Sequence, residues 1–195
     1  MKHFSAKKLV LYALFIALAF VLGMTIGLIP LGFINVTILA IPVIVGTMVL
    51  GLKAGLLFGA FFGLASALSA FGLSLVPPSA LASALVAANP LLAILMCFVP
   101  RLLIPVTTHI VYRAITRKGK LAKAGIAPAA VAGSLTNTIF YLGLMLLFYS
   151  MVGLDSATIL GIIGGTGLIA GFSEAAVAAI IAMPVVVALH KLNDK

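Results

Sequence analysis

The sequence predicts an all-α integral membrane protein with six transmembrane helices, both termini in the cytoplasm and a short or broken second helix. Three observations carry that expectation. Of 195 residues, 64% are hydrophobic and 8% charged, with a mean hydropathy of +1.37, well above the roughly half-apolar usage of soluble domains. Apolar runs recur between Gly, Pro and basic breaks, and a hydrocarbon layer about 30 Å thick needs roughly 20 helical residues. The basic residues fall on alternate connections. No polar stretch leaves room for a water-facing catalytic or nucleotide-binding domain, so residues 1–195 read as a single transmembrane domain of the cell membrane.

The first span, Leu9 to Leu28, follows the basic start Lys2, Lys7 and Lys8. A cleaved signal peptide shares that pattern, but the run reaches spanning length and no persuasive small-x-small site follows before Pro30. The second span, Val36 to Gly51, is short. Pro30, Gly32 and Pro42 around it suggest a broken or oblique helix, tolerated where other protein covers the freed backbone. Spans three to six are Ala54 to Leu75, Pro90 to Thr116, Ile126 to Tyr149 and Ala157 to Leu189.

Orientation follows from charge, because short basic loops stay in the cytoplasm. Lys2, Lys7 and Lys8 precede span one, and Lys53 separates spans two and three. Arg113, Arg117, Lys118, Lys120 and Lys123 join spans four and five, and Lys191 and Lys195 end the chain. The connections Ile29 to Asn35, Gly72 to Asn89 and Ser150 to Ser156 hold neither Lys nor Arg. The net charge of +9 is therefore read as topology and contact with anionic lipid, not as a nucleic-acid footprint. Gly72 to Asn89, GLSLVPPSALASALVAAN, is too apolar for a solvated loop and is expected to fold down over the bundle. Either a cap without ligand contact or a functional lid fits its length.

Ionisable groups inside hydrocarbon are costly, so each is a site hypothesis. Arg101 follows Pro100 in span four and Glu174 lies inside span six; at about 1.5 Å per residue both lie at similar depth. An Arg101–Glu174 ion pair tying the two spans is one reading. The other is an Arg101 fork that receives a substrate carboxylate. In SLTNTIFYLG, Asn137 and Tyr141 share one helix face, as an interhelical clasp or as hydrogen-bonding groups of a pocket. Asn89-Pro90 opens span four, where Asn serves as a cap or as a ligand contact.

Other signals do not support catalysis or metal binding. The glycines from Gly161 to Gly171 follow no strand and read as packing positions. His3, His109 and His190 lack metal-ligand spacing. The single Cys97 excludes an intramolecular disulfide or CxxC pair. Asp155, Glu174 and Asp194 assemble no paired catalytic carboxylates. Neither cofactor nor enzymatic activity is expected.

Small residues recur four apart at Ala13 and Ala17, Gly23 and Gly27, and Gly55, Gly59 and Gly63, a spacing that lets helices approach closely. Over essentially its whole length the chain resembles a substrate-binding S component of an energy-coupling factor vitamin transporter. The likeness is carried by the basic start, Ala13-xxx-Ala17, the PLG segment at Pro30, LGLKAGLLFGAFFGLAS, Asn89-Pro90, Pro100-Arg101 and the LTNT run containing Asn137. The resemblance implies an outward-open, high-affinity pocket formed by spans four to six. It also implies docking through helix one, at Ala13 and Ala17, onto a transmembrane coupling subunit that carries two ATPase subunits, with toppling of the S component to release vitamin inside. ATP hydrolysis then belongs to the partners. Within the family the pattern is similar to the pantothenate-specific group, with Asn89, Arg101, Asn137, Tyr141 and Glu174 as site residues. A group for pyridoxine or hydroxymethylpyrimidine is the neighbouring alternative, and a structural or assembly membrane protein is the alternative of another class.

Overall fold

The computed structural model describes residues 6–24, 28–30, 35–37, 39–75, 77–116 and 123–193. Its helices are α1 (Ala6–Met24), α2 (Ala40–Leu50), α3 (Leu52–Ala70), α4 (Ala80–Ala88), α5 (Pro90–Thr116), α6 (Ile126–Met151), α7 (Ser156–Ile162) and α8 (Leu168–Asn193). One π-helical turn, Ile163–Gly167, joins α7 to α8. Among the described residues, four helical segments are long and apolar enough to cross a membrane: Leu52–Ala70, Pro90–Thr116, Ile126–Met151 and Leu168–Lys191. Leu9–Met24, Ala40–Leu50 and Ser156–Gly165 are shorter apolar helical segments.

The expected limits shift where the backbone finds a better local solution. α1 stops at Met24, and Leu28–Pro30 (β1) pairs antiparallel with Asn35–Thr37 (β2), Ile29 opposite Val36. β-branched Ile29, Val36 and Thr37 suit an extended pair better than a helix, so the second span begins after Val36 instead of at it. The described residues are otherwise helical, as expected, beside this one short strand pair.

α2 is short, as expected, and its setting explains why it is stable. Every residue from Ala40 to Met48 is buried, against α1, α3, α5, α6 and α8. An all-apolar helix is stable when it is wrapped on all sides. Gly51 separates α2 from α3 at φ +90, a conformation that favours a residue without Cβ. α3 ends at Ala70, earlier than the expected Leu75, and Gly72 turns the chain at φ +77.

Two apolar cores divide the bundle. One surrounds α2 with Phe15, Ile44, Phe58, Ile104, Ala129, Ala182 and Val186. The other surrounds α4 with Ala70, Leu85, Met96, Cys97, Met145, Phe148 and Ile159. Along α3, α5 and α6 the residues between these cores include Ser66, Arg101 and Asn137. Described basic residues Lys53, Arg113, Lys123 and Lys191 are exposed at the end opposite α4. Lys2, Arg117, Lys118, Lys120 and Lys195 lie outside the described residues.

The glycines of α3 fit α5 closely. A Cβ at Gly55 would meet the Pro105 ring at 2.7 Å, one at Gly59 the Arg101 carbonyl oxygen at 2.5 Å, and one at Gly63 the Phe98 ring at 2.8 Å. Of the glycines from Gly161 to Gly171, the packing expectation holds for Gly167 and Gly171 but not for Gly161, Gly164 and Gly165. Among the described residues those three have no neighbouring atom within 4 Å of where a Cβ would stand; Gly164 and Gly165 lie within the π-helical turn itself.

Candidate functional site

A cavity of about 720 Å³, including its open mouth, lies between the two cores. α5 contributes Cys97 and Arg101, α6 contributes Asn137, Thr138 and Tyr141, and α8 contributes Glu174. Thus four residues expected from the sequence, Arg101, Asn137, Tyr141 and Glu174, line one cavity. Tertiary packing adds Ser66 and Ser69 of α3, and Pro78, Ser79 and Ala82 from the segment that folds over the bundle.

Arg101 is 3% exposed. Its guanidinium lies 5.1 Å from the Phe62 ring centre and 4.6 Å from that of Tyr141. Such desolvated cation–π contacts contribute about 2 kcal/mol at their upper end. Nη1 donates to the Met96 carbonyl at 3.2 Å, while Nε has no hydrogen-bond partner among the described residues. Asn137, 5% exposed, has its Oδ1 likewise unpartnered. A buried polar atom left unpaired costs about 1–3 kcal/mol; the two residues line one cavity, while the two unpaired atoms themselves are covered by protein. Together they match a ligand that carries an anionic acceptor and an N–H or O–H donor.

Glu174 accepts a hydrogen bond from Thr138 Oγ1 at 3.3 Å, and the same hydroxyl reaches the Ser134 carbonyl at 3.4 Å. Thr138 therefore links the α8 carboxylate to the α6 wall. The Tyr141 ring also lies against the Arg101 guanidinium, a contact that the expected hydrogen-bonding phenol did not include.

Asn89 is placed differently. It does not line the cavity; Oδ1 accepts from the Leu91 and Leu92 N–H groups at 3.1 and 3.2 Å, the capping role that its Asn-Pro setting also allowed. The covering segment is organised by its own cap, Ser79 Oγ accepting from Ala82 N–H at 3.2 Å. Tyr149 then ties α4 to α6 by donating to the Leu81 carbonyl at 2.7 Å. Ser66, Ser69 and Ser79 escaped sequence reasoning because serines are common in membrane helices and loops; only Ser79, before an apolar run, carried a capping signal. Among the described residues no group of three His, Cys, Asp or Glu could hold a metal ion.

On α1, Phe15 and Ala19 face the bundle, with Phe15 and Tyr12 packed on the Phe58 ring at 5.4 and 5.6 Å. Ala13 and Ala17 are exposed, on a face shared with Leu14, Leu18 and Val21.

Comparison with known proteins gives two matches. The family model described as the substrate-specific component of the ECF transporter matches residues 7–186. The pantothenic acid transporter PanT of Lactococcus lactis subsp. cremoris (strain MG1363) is 28% identical over 207 residues, covering 100% of this chain and 99% of that protein.

Proposed function

The chain belongs to the family of ECF transporter substrate-specific components, and we propose that it binds pantothenate for uptake across the cell membrane. It is a multi-pass membrane transport protein, and the catalysis of ATP hydrolysis falls to partner subunits. The carrying observation is the cavity lined by Arg101 and Asn137, two buried residues whose Nε and Oδ1 lack hydrogen-bond partners among the described residues. Pantothenate presents a carboxylate, an amide and hydroxyls. Its carboxylate answers the guanidinium, and its amide N–H or a hydroxyl answers the Asn137 oxygen. The full-length likeness to a pantothenic acid transporter supports the same choice.

A flat heterocycle such as pyridoxine is less well served. Tyr141, the aromatic residue among those lining the cavity, has its ring against the Arg101 guanidinium instead. In our reading, six spans place the Lys53 end in the cytoplasm, so the mouth beneath α4 faces outward and Pro78, Ser79 and Ala82 form a lid. Ala13 and Ala17 dock α1 onto the transmembrane coupling subunit with its two ATPases, and toppling delivers the vitamin inside.

Mass spectrometry of small molecules released from the purified chain tests the substrate, followed by calorimetry with pantothenate and pyridoxine. Bound pantothenate is the expected result. Tight binding of pyridoxine without binding of pantothenate would overturn the substrate and leave the family intact.

A further inference from the structure

We propose that Pro100 and Gly59 are positioning residues that set the selectivity of the site for an anion, an inference that rests on Arg101 being the carboxylate contact. Proline has no N–H, so Pro100 leaves the Met96 carbonyl, four residues back, without its helical donor. Arg101 Nη1 donates to that oxygen at 3.2 Å. The adjacent arginine thus takes up acceptor capacity that its neighbouring proline released. With one end of the guanidinium held on α5 and its faces against Phe62 and Tyr141, the side chain is fixed and Nε stays unpartnered.

Pro105 repeats the effect one turn later, at the backbone of Arg101 itself. The Arg101 carbonyl has no N–H at position 105 to receive, and Gly59 of α3 lies against it. A Cβ at Gly59 would stand 2.5 Å from that oxygen and 3.3 Å from its carbon. The glycine brings its Cα–H toward a carbonyl without a helical donor, the setting for a weak C–H···O contact. Because the obstacle is backbone, any side chain at position 59 must displace α5 at the residue that carries the guanidinium. Pro100 therefore orients the Arg101 side chain, and Gly59 sets its distance from Asn137 and Glu174 across the cavity.

Two measurements on the full chain in lipid nanodiscs test this. The sequence has three arginines, Arg101, Arg113 and Arg117, so nitrogen-15 arginine spectra are sparse and Arg101→Lys assigns the buried one. Without ligand, wild type should show separate, slowly exchanging Nη signals for Arg101. Pro100→Ala, which returns an N–H to the Met96 carbonyl, should merge them. It should fold at least as stably as wild type, since alanine is the better helix residue. In calorimetry, Pro100→Ala should weaken pantothenate about tenfold, the worth of one hydrogen bond to a charged group, and leave neutral pantothenyl alcohol within about twofold. Gly59→Ala should lower acid selectivity in the same sense. In an Arg101→Ala background Pro100→Ala should have no further effect on the acid.

Separate Nη signals that survive Pro100→Ala, equal losses for both ligands, or losses additive with Arg101→Ala would overturn the positioning role. If wild type shows no preference for the acid, the substrate assignment fails instead, and the ligand-free spectra alone decide whether Pro100 holds the guanidinium.

Discussion

Replacing Arg101 by alanine removes a cation from a site where it is 3% exposed and held by two rings and one carbonyl. A bound carboxylate would then be left in the cavity without its fork. Loss of one partner from a buried charge pair costs about 2–5 kcal/mol, or roughly 30-fold to several thousandfold in affinity. Pantothenyl alcohol differs only in having a hydroxymethyl group where the acid has its carboxylate. It stands to lose one neutral hydrogen bond, about 0.5–1.5 kcal/mol, and hence roughly two- to tenfold. Calorimetry with both ligands on wild type and Arg101→Ala reads the difference directly. Glu174→Gln and the double variant separate a ligand contact from a pairing between the two residues, since both line the cavity and Thr138 holds the carboxylate. A carboxylate contact requires that wild type prefer the acid and that Arg101→Ala erase the preference. Equal losses for acid and alcohol, with rescue in the double variant, would refute the contact and leave Arg101 as a structural partner of Glu174.

Trp at both Ala13 and Ala17 should leave pantothenate affinity within about twofold, because both side chains face away from the bundle, and abolish uptake; co-purification with the coupling subunit and intact uptake would exclude α1 as the interface. A reporter inserted at Gly119 should be inaccessible from outside intact cells, and labelling from outside would overturn the orientation. The Asp155 carboxyl, which accepts from the Thr158 hydroxyl and from the Thr158 and Ala157 N–H groups, is held below the usual carboxylate range, chiefly by the Thr158 hydroxyl. A depressed folded pKa stabilises the start of α7 above the unfolded value and loses that support as pH falls through the folded one. Amide protection in α7, with exchange corrected for its intrinsic slowing in acid, should therefore fall at acid pH in wild type, and Asp155→Ala should show low protection already at neutral pH, with little further change on acidification.

The membrane class, the approximate helices and the charged end were legible because they depend on properties carried by each segment alone. Apolar content decides partition into hydrocarbon, and the placement of Lys53, Arg113, Lys123 and Lys191 follows chain order. Arg101, Asn137 and Glu174 were legible as candidates for a related reason: a polar group amid apolar residues is expensive wherever the helix packs. Their mutual arrangement was not. Asn89 has the same side chain as Asn137, yet spends its oxygen on two helix N–H groups, while Asn137 keeps one free on the cavity wall. Gly59 and Gly164 look alike in sequence, yet one abuts the Arg101 carbonyl and the other faces open space. The α4 cover, the π-helical turn and the Arg101 clamp likewise depend on neighbours distant in sequence. Segment composition thus determined that the chain lives in the membrane and which polar residues need an explanation. Only the tertiary structure decided which of them meet, because hydrogen-bond satisfaction and close packing belong to pairs of helices and not to one.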